Sequence, residues 1–289
     1  MARIARSMRN ARRVAFFLDR IAPRACASVA AAAFRRPVRA HPTRSERDTL
    51  RRAASVRVSG RAGEIAVWHW GSGPRVLLVH GWGGHAGRLS AFVAPLLDAG
   101  FGVTAFDAPG HGRSAGRLCS LPDFVEAITA IASAWEPAAI VGHSMGAAAA
   151  ALAIAAGLPA RAAVLIATPA DPERYTMRFA RCLRLSAATT AAMKGILRRR
   201  YGLEWSDLLL ATHPPSVPVF LAHDRRDPRV PFRDSLLLTR SWPRAEILER
   251  RGTGHHRIIR DPEVIRESVA FLRRHAADAP AWRAHRLAV

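Results

Sequence analysis

From residue 53 onward, short apolar runs alternate with helix-length segments across brief connections, and this rhythm leaves few folds open to the 289-residue chain. RVLLVH (75–80), GVTAF (102–106), AAIVG (138–142) and AAVLIA (162–167) are apolar without the polar alternation of a half-exposed strand. Strands read this way when helices cover both faces of a parallel sheet. Helices are expected between them at 86–98, stopped by Gly100, at 121–135, and over MGAAAAALAIAAG (145–157). Ahead of them, SVRVS and EIAVWHW flank a Gly60–Gly63 turn as an antiparallel hairpin. The rhythm resumes with VPVFLAH (217–223), a helix over 232–241, AEILE (245–249) and a last helix after Asp261-Pro262. The expectation is an α/β fold, a mostly parallel sheet flanked by helices.

Between 171 and 213 the alternation stops. Two or three short helices are expected there, broken at Gly195, Gly202 and HPPS. An insertion between two strands of such a sheet belongs above the carboxyl edge, where ligands bind, so this segment is expected to be a helical cap. Four parts follow: a basic arm over 1–52, a core formed by 53–170 and 214–279, the cap at 171–213, and a tail at 280–289.

Charge narrows the function less than its size suggests. The chain has 44 Lys+Arg against 22 Asp+Glu, a balance compatible with nucleic acid or an anionic membrane. Lys194 is the only lysine, however, and the arginines are spread along an alanine-rich chain, with no compact basic patch. No nucleic-acid partner is expected. Cys26, Cys119 and Cys182 lie far apart, in no metal-ligand or C-x-x-C spacing, so neither a disulfide framework nor a metal site is expected. No run approaches the roughly 20 apolar residues of a membrane span, and Asp19, Arg20 and Arg24 interrupt any signal-peptide core, so a cytoplasmic location is expected.

The arm has its own pattern. Met1, Ile4, Met8, Ala11, Ala15, Leu18, Ala22, Ala25 and Val29 recur at three- and four-residue spacing, one apolar stripe on a helix with arginines mostly off it. Such a helix packs on its own protein, or lies on a membrane surface through residues 1–30, or is an organelle transit segment.

Two stretches match G-x-S-x-G, Gly112-Arg113-Ser114-Ala115-Gly116 and Gly142-His143-Ser144-Met145-Gly146. A chance match occurs in on the order of one in ten chains of this length, so context decides between them. A serine nucleophile needs a strand-to-helix turn that lifts Oγ above the sheet and leaves helix N–H groups free for a developing oxyanion. Ser144 has a strand before it and an alanine-rich helix after it, whereas Ser114 lies in a Pro/Gly loop. Ser144 is therefore the expected nucleophile.

A serine hydroxyl also needs a histidine to take its proton and a carboxylate to orient that histidine. In this fold these follow the serine, at the ends of later strands. The strand 217–223 runs into DRRDPRVP, offering Asp224 and Asp227, with Asp234 inside the next helix; 245–249 runs into RRGTGHHR, offering His255 and His256. HGWGG (80–84) follows the first buried strand, which makes the backbone N–H groups of Trp82 and Met145 the expected oxyanion donors. His80 is expected to be structural.

LLVHGWGG, FDAPGHGRS, VGHSMG, HDRRDPRVP and GTGHHRIIRDPE, in that order, resemble the α/β-hydrolase superfamily over about residues 55–278. The resemblance implies Asp227 as the acid, with Asp224 in a place usually held by glycine. It implies His255, directly after a glycine, as the base, and places the cap in the family's usual position. A serine at 144 argues against the dehalogenase and epoxide hydrolase branches, which use aspartate there. The implied activity is cofactor-free hydrolysis of a carboxylic ester or thioester, with a small acyl compound as partner. The alternatives are other chemistry on the same residues (C–C hydrolysis, acyl transfer, perhydrolysis) or a non-catalytic ligand-binding or membrane-associated member. Substrate and oligomeric state are left open by the sequence.

Overall fold

A computed structural model describes residues 2–278, with side chains from Asn10 onward; the expected tail at 280–289 lies outside the described residues. The chain forms two compact units, one of residues 37–170 and 210 onward, the other of 1–36 and 171–209.

The larger unit is built on eight strands: β1 (Ala54–Gly60), β2 (Gly63–Trp70), β3 (Arg75–Val79), β4 (Gly102–Phe106), β5 (Ala139–His143), β6 (Ala162–Ile166), β7 (Val219–Asp224) and β8 (Ala245–Arg250), in the order β1-β2-β4-β3-β5-β6-β7-β8. The hairpin strand β2 runs antiparallel to β1 and β4, and all remaining pairs are parallel. Every residue of β3, β4, β5 and β6 is buried, in keeping with their mostly apolar composition, and Arg75, Thr104 and His143 are buried with the rest. Edge strand β1 alternates between exposed and half-buried residues, which its sequence SVRVS anticipates.

The chain winds outward from β3 to β4 and then crosses back to β5 on the other side. The order reverses there, and a crevice opens between the loops leaving β3 and β5 at the carboxyl edge. HGWGG and Ser144 are the residues that leave those two strands.

The helices, in chain order, are α1 (Ala2–Ile21), α2 (Pro23–Phe34), α3 (Arg44–Arg51), α4 (Val93–Asp98), α5 (Leu121–Trp135), α6 (Met145–Ala155), α7 (Glu173–Leu183), α8 (Ala187–Tyr201), α9 (Phe232–Ser241), α10 (Gly254–Arg257) and α11 (Pro262–Ala276). Three differ from expectation. The segment 86–98 is a 3₁₀ segment over Ala86–Phe92, kinked at Leu89, which leaves helical geometry, followed by the short α4. Helix α8 runs through Gly195, because one glycine costs an otherwise satisfied helix only about 1 kcal/mol. The break falls instead at Arg184, which takes a left-handed conformation (φ 60°) at the end of α7.

The arm also departs from its single stripe. Proline disfavours helical geometry in the residue before it. Ala22, ahead of Pro23, accordingly leaves the helix (φ −149°, ψ 67°), and α2 begins in a new phase. Ala15 is buried and Leu18 and Ala22 are half-buried, but Ala25 and Val29 face solvent while Cys26, Ala27, Ala30 and Ala31 go inside. The expected arm also divides near residue 36. Residues 1–36 share a unit with 171–209, where Ala15, Ala27, Ala30 and Ala31 form one apolar cluster with Ala180, Leu183, Met193 and Leu197. Small side chains on α2 are what lets neighbouring helix backbones approach closely in this cluster. Residues 37–52 belong to the larger unit, with α3 started by a capping box of Thr43 and Glu46.

Candidate active site

Ser144 stands alone between β5 and α6, at φ 53° and ψ −122°. Such geometry costs a non-glycine residue about 1–3 kcal/mol and persists only when its surroundings impose it. They do. Ser144 N–H donates to the Ile166 carbonyl oxygen of β6 at 2.8 Å. The flanking glycines provide the space: a Cβ on Gly146 would lie 2.3 Å from the His80 carbonyl oxygen, and one on Gly142 would lie 2.6 Å from Ala147 Cα.

The histidine lies in α10, the short helix that follows β8. His255 Nε2 is 3.1 Å from Ser144 Oγ, and His255 Nδ1 is 2.7 Å from Asp227 Oδ2. Burial works to raise the pKa of Asp227, but hydrogen bonds from His223 and His255, the charge of His255 and the Val230 N–H outweigh it and hold the carboxyl well below the ordinary carboxylate range. Asp227 is thus ionised and can only accept. The His255 proton therefore sits on Nδ1, and the Nε2 lone pair faces the serine hydroxyl. The other Asp227 oxygen accepts the N–H groups of Arg229 (2.7 Å) and Val230 (3.0 Å), which fixes the carboxylate plane.

Two buried groups hold the loop that carries His255. His143 donates from Nε2 to the His255 carbonyl oxygen at 2.8 Å; burial and the neighbouring His255 lower its pKa to about 3, so it stays neutral. Asp224 holds the loop from the other side. Its Oδ2 accepts from Thr253 N–H (2.5 Å), Thr253 Oγ1 (2.8 Å) and Gly254 N–H (2.8 Å), and its Oδ1 accepts from Arg226 N–H (2.7 Å). One carboxylate thereby joins the turn carrying Asp227 to the turn carrying His255. Motif reading places Asp224 beside Asp227 without this role; the signal for it is the aspartate standing where the resemblance puts glycine.

The HGWGG loop lies against the serine, since a Cβ on Gly81 would come within 3.1 Å of Ser144 Cβ. Two neutral histidines hold this loop. His80 Nε2 accepts the Ala108 N–H and His111 Nε2 accepts the Gly83 N–H, both at 3.0 Å. Burial depresses their pKa values to about 4 and about 3. His80 is structural, as expected, and Trp82 is the one large apolar residue of the loop that remains exposed.

The other candidates fall elsewhere. Ser114 is buried, donates to the Asp107 carbonyl oxygen at 2.5 Å and accepts the Ala66 N–H at 2.9 Å. Asp234 is buried and accepts the Ala170 N–H at 3.1 Å. His256 is exposed, its ring centroid 5.0 Å from that of His255. Among the described residues no cluster of His, Cys, Asp and Glu is placed to hold a metal ion.

A family model described as serine aminopeptidase, S33, matches residues 73–270. A pimeloyl-[acyl-carrier protein] methyl ester esterase of Methylococcus capsulatus is 42% identical over 101 residues, 34% of this chain and 39% of the relative. A monoacylglycerol lipase of Mycolicibacterium smegmatis is 40% identical over 91 residues, 28% of this chain and 32% of the relative. The chain thus spans about a third of the length of the curated relatives it matches. An esterase of Pyrococcus furiosus superposes with a TM-score of 0.64 at 19% identity, over 83% of this chain and 99% of its own. Mouse α/β hydrolase domain-containing protein 10 does so with 0.60 at 20% identity, over 76% and 96%. With the family match covering more than half of its length and the fold shared with these solved structures, the chain belongs to the S33 serine aminopeptidase family of α/β hydrolases.

Proposed function

We propose that this protein is a serine hydrolase that cleaves a carboxylic ester or thioester through an acyl-enzyme intermediate. The observation that carries the reading is the unbroken hydrogen-bonded chain from Asp227 through His255 to Ser144, with the serine held at a strained turn between strand and helix. Nothing in ligand binding alone requires that strain or that order of donors. The methyl ester esterase and the monoacylglycerol lipase among the relatives support an ester in particular.

In this reading Ser144 Oγ attacks the carbonyl carbon as its proton passes to His255 Nε2. Asp227 holds the imidazolium that forms and is not itself protonated. The backbone N–H groups of Trp82 and Met145, the latter at the start of α6, take the charge that develops on the carbonyl oxygen. The leaving alcohol or thiol departs with the proton from His255, and water, activated by the same histidine, releases the acid and restores Ser144. The reaction needs no cofactor.

A fluorophosphonate probe tests the proposal. The folded protein is expected to label at Ser144 and to turn over p-nitrophenyl esters of graded chain length. Folded protein that fails to label, or a Ser144→Ala variant that labels as well as the parent, would sink it.

A further inference from the structure

Helix α1 presents two faces with different fates. One is spent inside its own unit. Ala15 is buried there, Arg12 Nε donates to the Cys182 carbonyl oxygen at 2.7 Å, and Asp19 accepts the Ser186 N–H (2.6 Å) and the hydroxyls of Ser186 (2.8 Å) and Thr189. On the opposite side Val14, Phe17 and Ile21, three and four residues apart, line up in a single apolar stripe. They are 59%, 64% and 79% exposed, and Phe16 beside them is 46% exposed. Three large side chains in register on one free face are unlike the scattered exposed apolar residues of an ordinary surface.

The charges bordering this stripe are of one sign. Arg13 and Arg20 are exposed along its edge, the Arg20 guanidinium lying 3.6 Å from the Phe16 ring centroid. Residues 1–36 contain nine arginines and one acid, and that acid is Asp19, already engaged at the start of α8. Among the described residues of α1, the exposed face thus offers hydrocarbon and cations and no carboxylate. The surface that complements both together is anionic headgroups over an apolar layer. Among the described residues no helix is long and apolar enough to cross a membrane.

We propose that the Val14–Phe17–Ile21 face of α1, bordered by Arg13 and Arg20, docks the protein on an anionic lipid bilayer with the helix lying in the headgroup plane. The apolar side chains enter the boundary between headgroups and acyl chains, and the arginines meet lipid phosphates. The inference is independent of the chemistry proposed for Ser144.

The test is co-sedimentation of the full chain with vesicles of equimolar phosphatidylcholine and phosphatidylglycerol, and with vesicles of phosphatidylcholine alone. The protein is expected to pellet with the anionic vesicles, weakly with the neutral ones, and less as salt is raised. Phe17→Ser with Ile21→Ser is expected to lower partitioning by about tenfold or more. Arg13→Gln with Arg20→Gln is expected to lower it roughly fivefold per arginine, whereas Arg13→Lys with Arg20→Lys retains it. Circular dichroism and the thermal midpoint check that each variant is folded. Failure of the folded full chain to pellet with anionic vesicles, or serine variants that bind like the parent, would overturn the proposal. So would a shift from dimer to monomer on gel filtration of the Phe17→Ser, Ile21→Ser variant, which would assign the face to a second copy of the chain.

Discussion

Ser114 and Ser144 sit thirty residues apart in the same five-residue pattern, and the fold treats them in opposite ways. Around Ser144 the backbone strain falls on the serine, at φ 53°, and the two glycines supply space. Around Ser114 the strain falls on the glycines, Gly112 at φ 43° and Gly116 at φ 87°, and the serine takes an ordinary conformation. One arrangement lifts a hydroxyl towards a histidine; the other buries it between the Asp107 carbonyl and the Ala66 amide. A pattern of residue types does not say which residue bears an unusual dihedral. The strand before it and the helix after it do.

Substitutions can break this contrast, and the largest effect is expected at the serines themselves. Ser144→Ala is expected to lower kcat by about 10⁶ and abolish probe labelling, whereas Ser114→Ala keeps the label; the reverse result would exchange their roles. Next is Asp227→Asn, which leaves the shape intact but removes the acceptor that fixes the His255 tautomer. A loss of about 10⁴ in kcat is expected, measured by steady-state kinetics on a soluble ester.

Acid probes both regions at once. His143 behind Ser144, and His80 and His111 beside the Ser114 loop, are kept neutral by burial, with folded pKa values of about 3 or 4 against roughly 6.5 in the unfolded chain. As the pH falls, the unfolded state takes up these protons first. The stability they confer is therefore complete above about pH 6.5 and is lost between there and the folded values, at up to about 1.4 kcal/mol per pH unit for each histidine. Urea denaturation between pH 7 and pH 4.5 should show this decline starting before carboxylates titrate.

Smaller effects are expected from the groups that only hold the loops. Asp224→Gly supplies the residue that the superfamily resemblance puts at this position, yet here it frees Thr253 and Gly254 beside His255. A fall of about ten- to a hundredfold in kcat with KM little changed is expected, because displacement by about 1 Å costs on that order. Equal kcat in this variant would show that the clamp is dispensable. Ser114→Ala is expected to cost about 1–3 kcal/mol in unfolding free energy, since it leaves the buried Ala66 amide without its acceptor.

Most of the sheet was legible because buried strands and their helices write their environment into adjacent residues. Ser144 was legible for a related reason, since a strand end is a local event; the strand ends alone left Asp224 beside Asp227 and His256 beside His255, and the superfamily resemblance made the choice. Asp224 was visible as a residue but not as a clamp, because its partners, Thr253 and Gly254, lie about thirty positions away. Gly195 misled because a glycine inside a satisfied helix is tolerated, and the true end at Arg184 carries no glycine.

The sequence by itself determined the alternation of elements, the strand ends after which Ser144, Asp227 and His255 follow, and the excess of arginine in the first helices. Only the tertiary structure decided that residues 1–36 share a core with 171–209, that Pro23 splits the apolar stripe, and that Val14, Phe17 and Ile21 are left outside. Periodicity specifies which residues share a face of a helix. Which face is covered depends on what packs against it, and for α1 that partner lies some 170 residues along the chain.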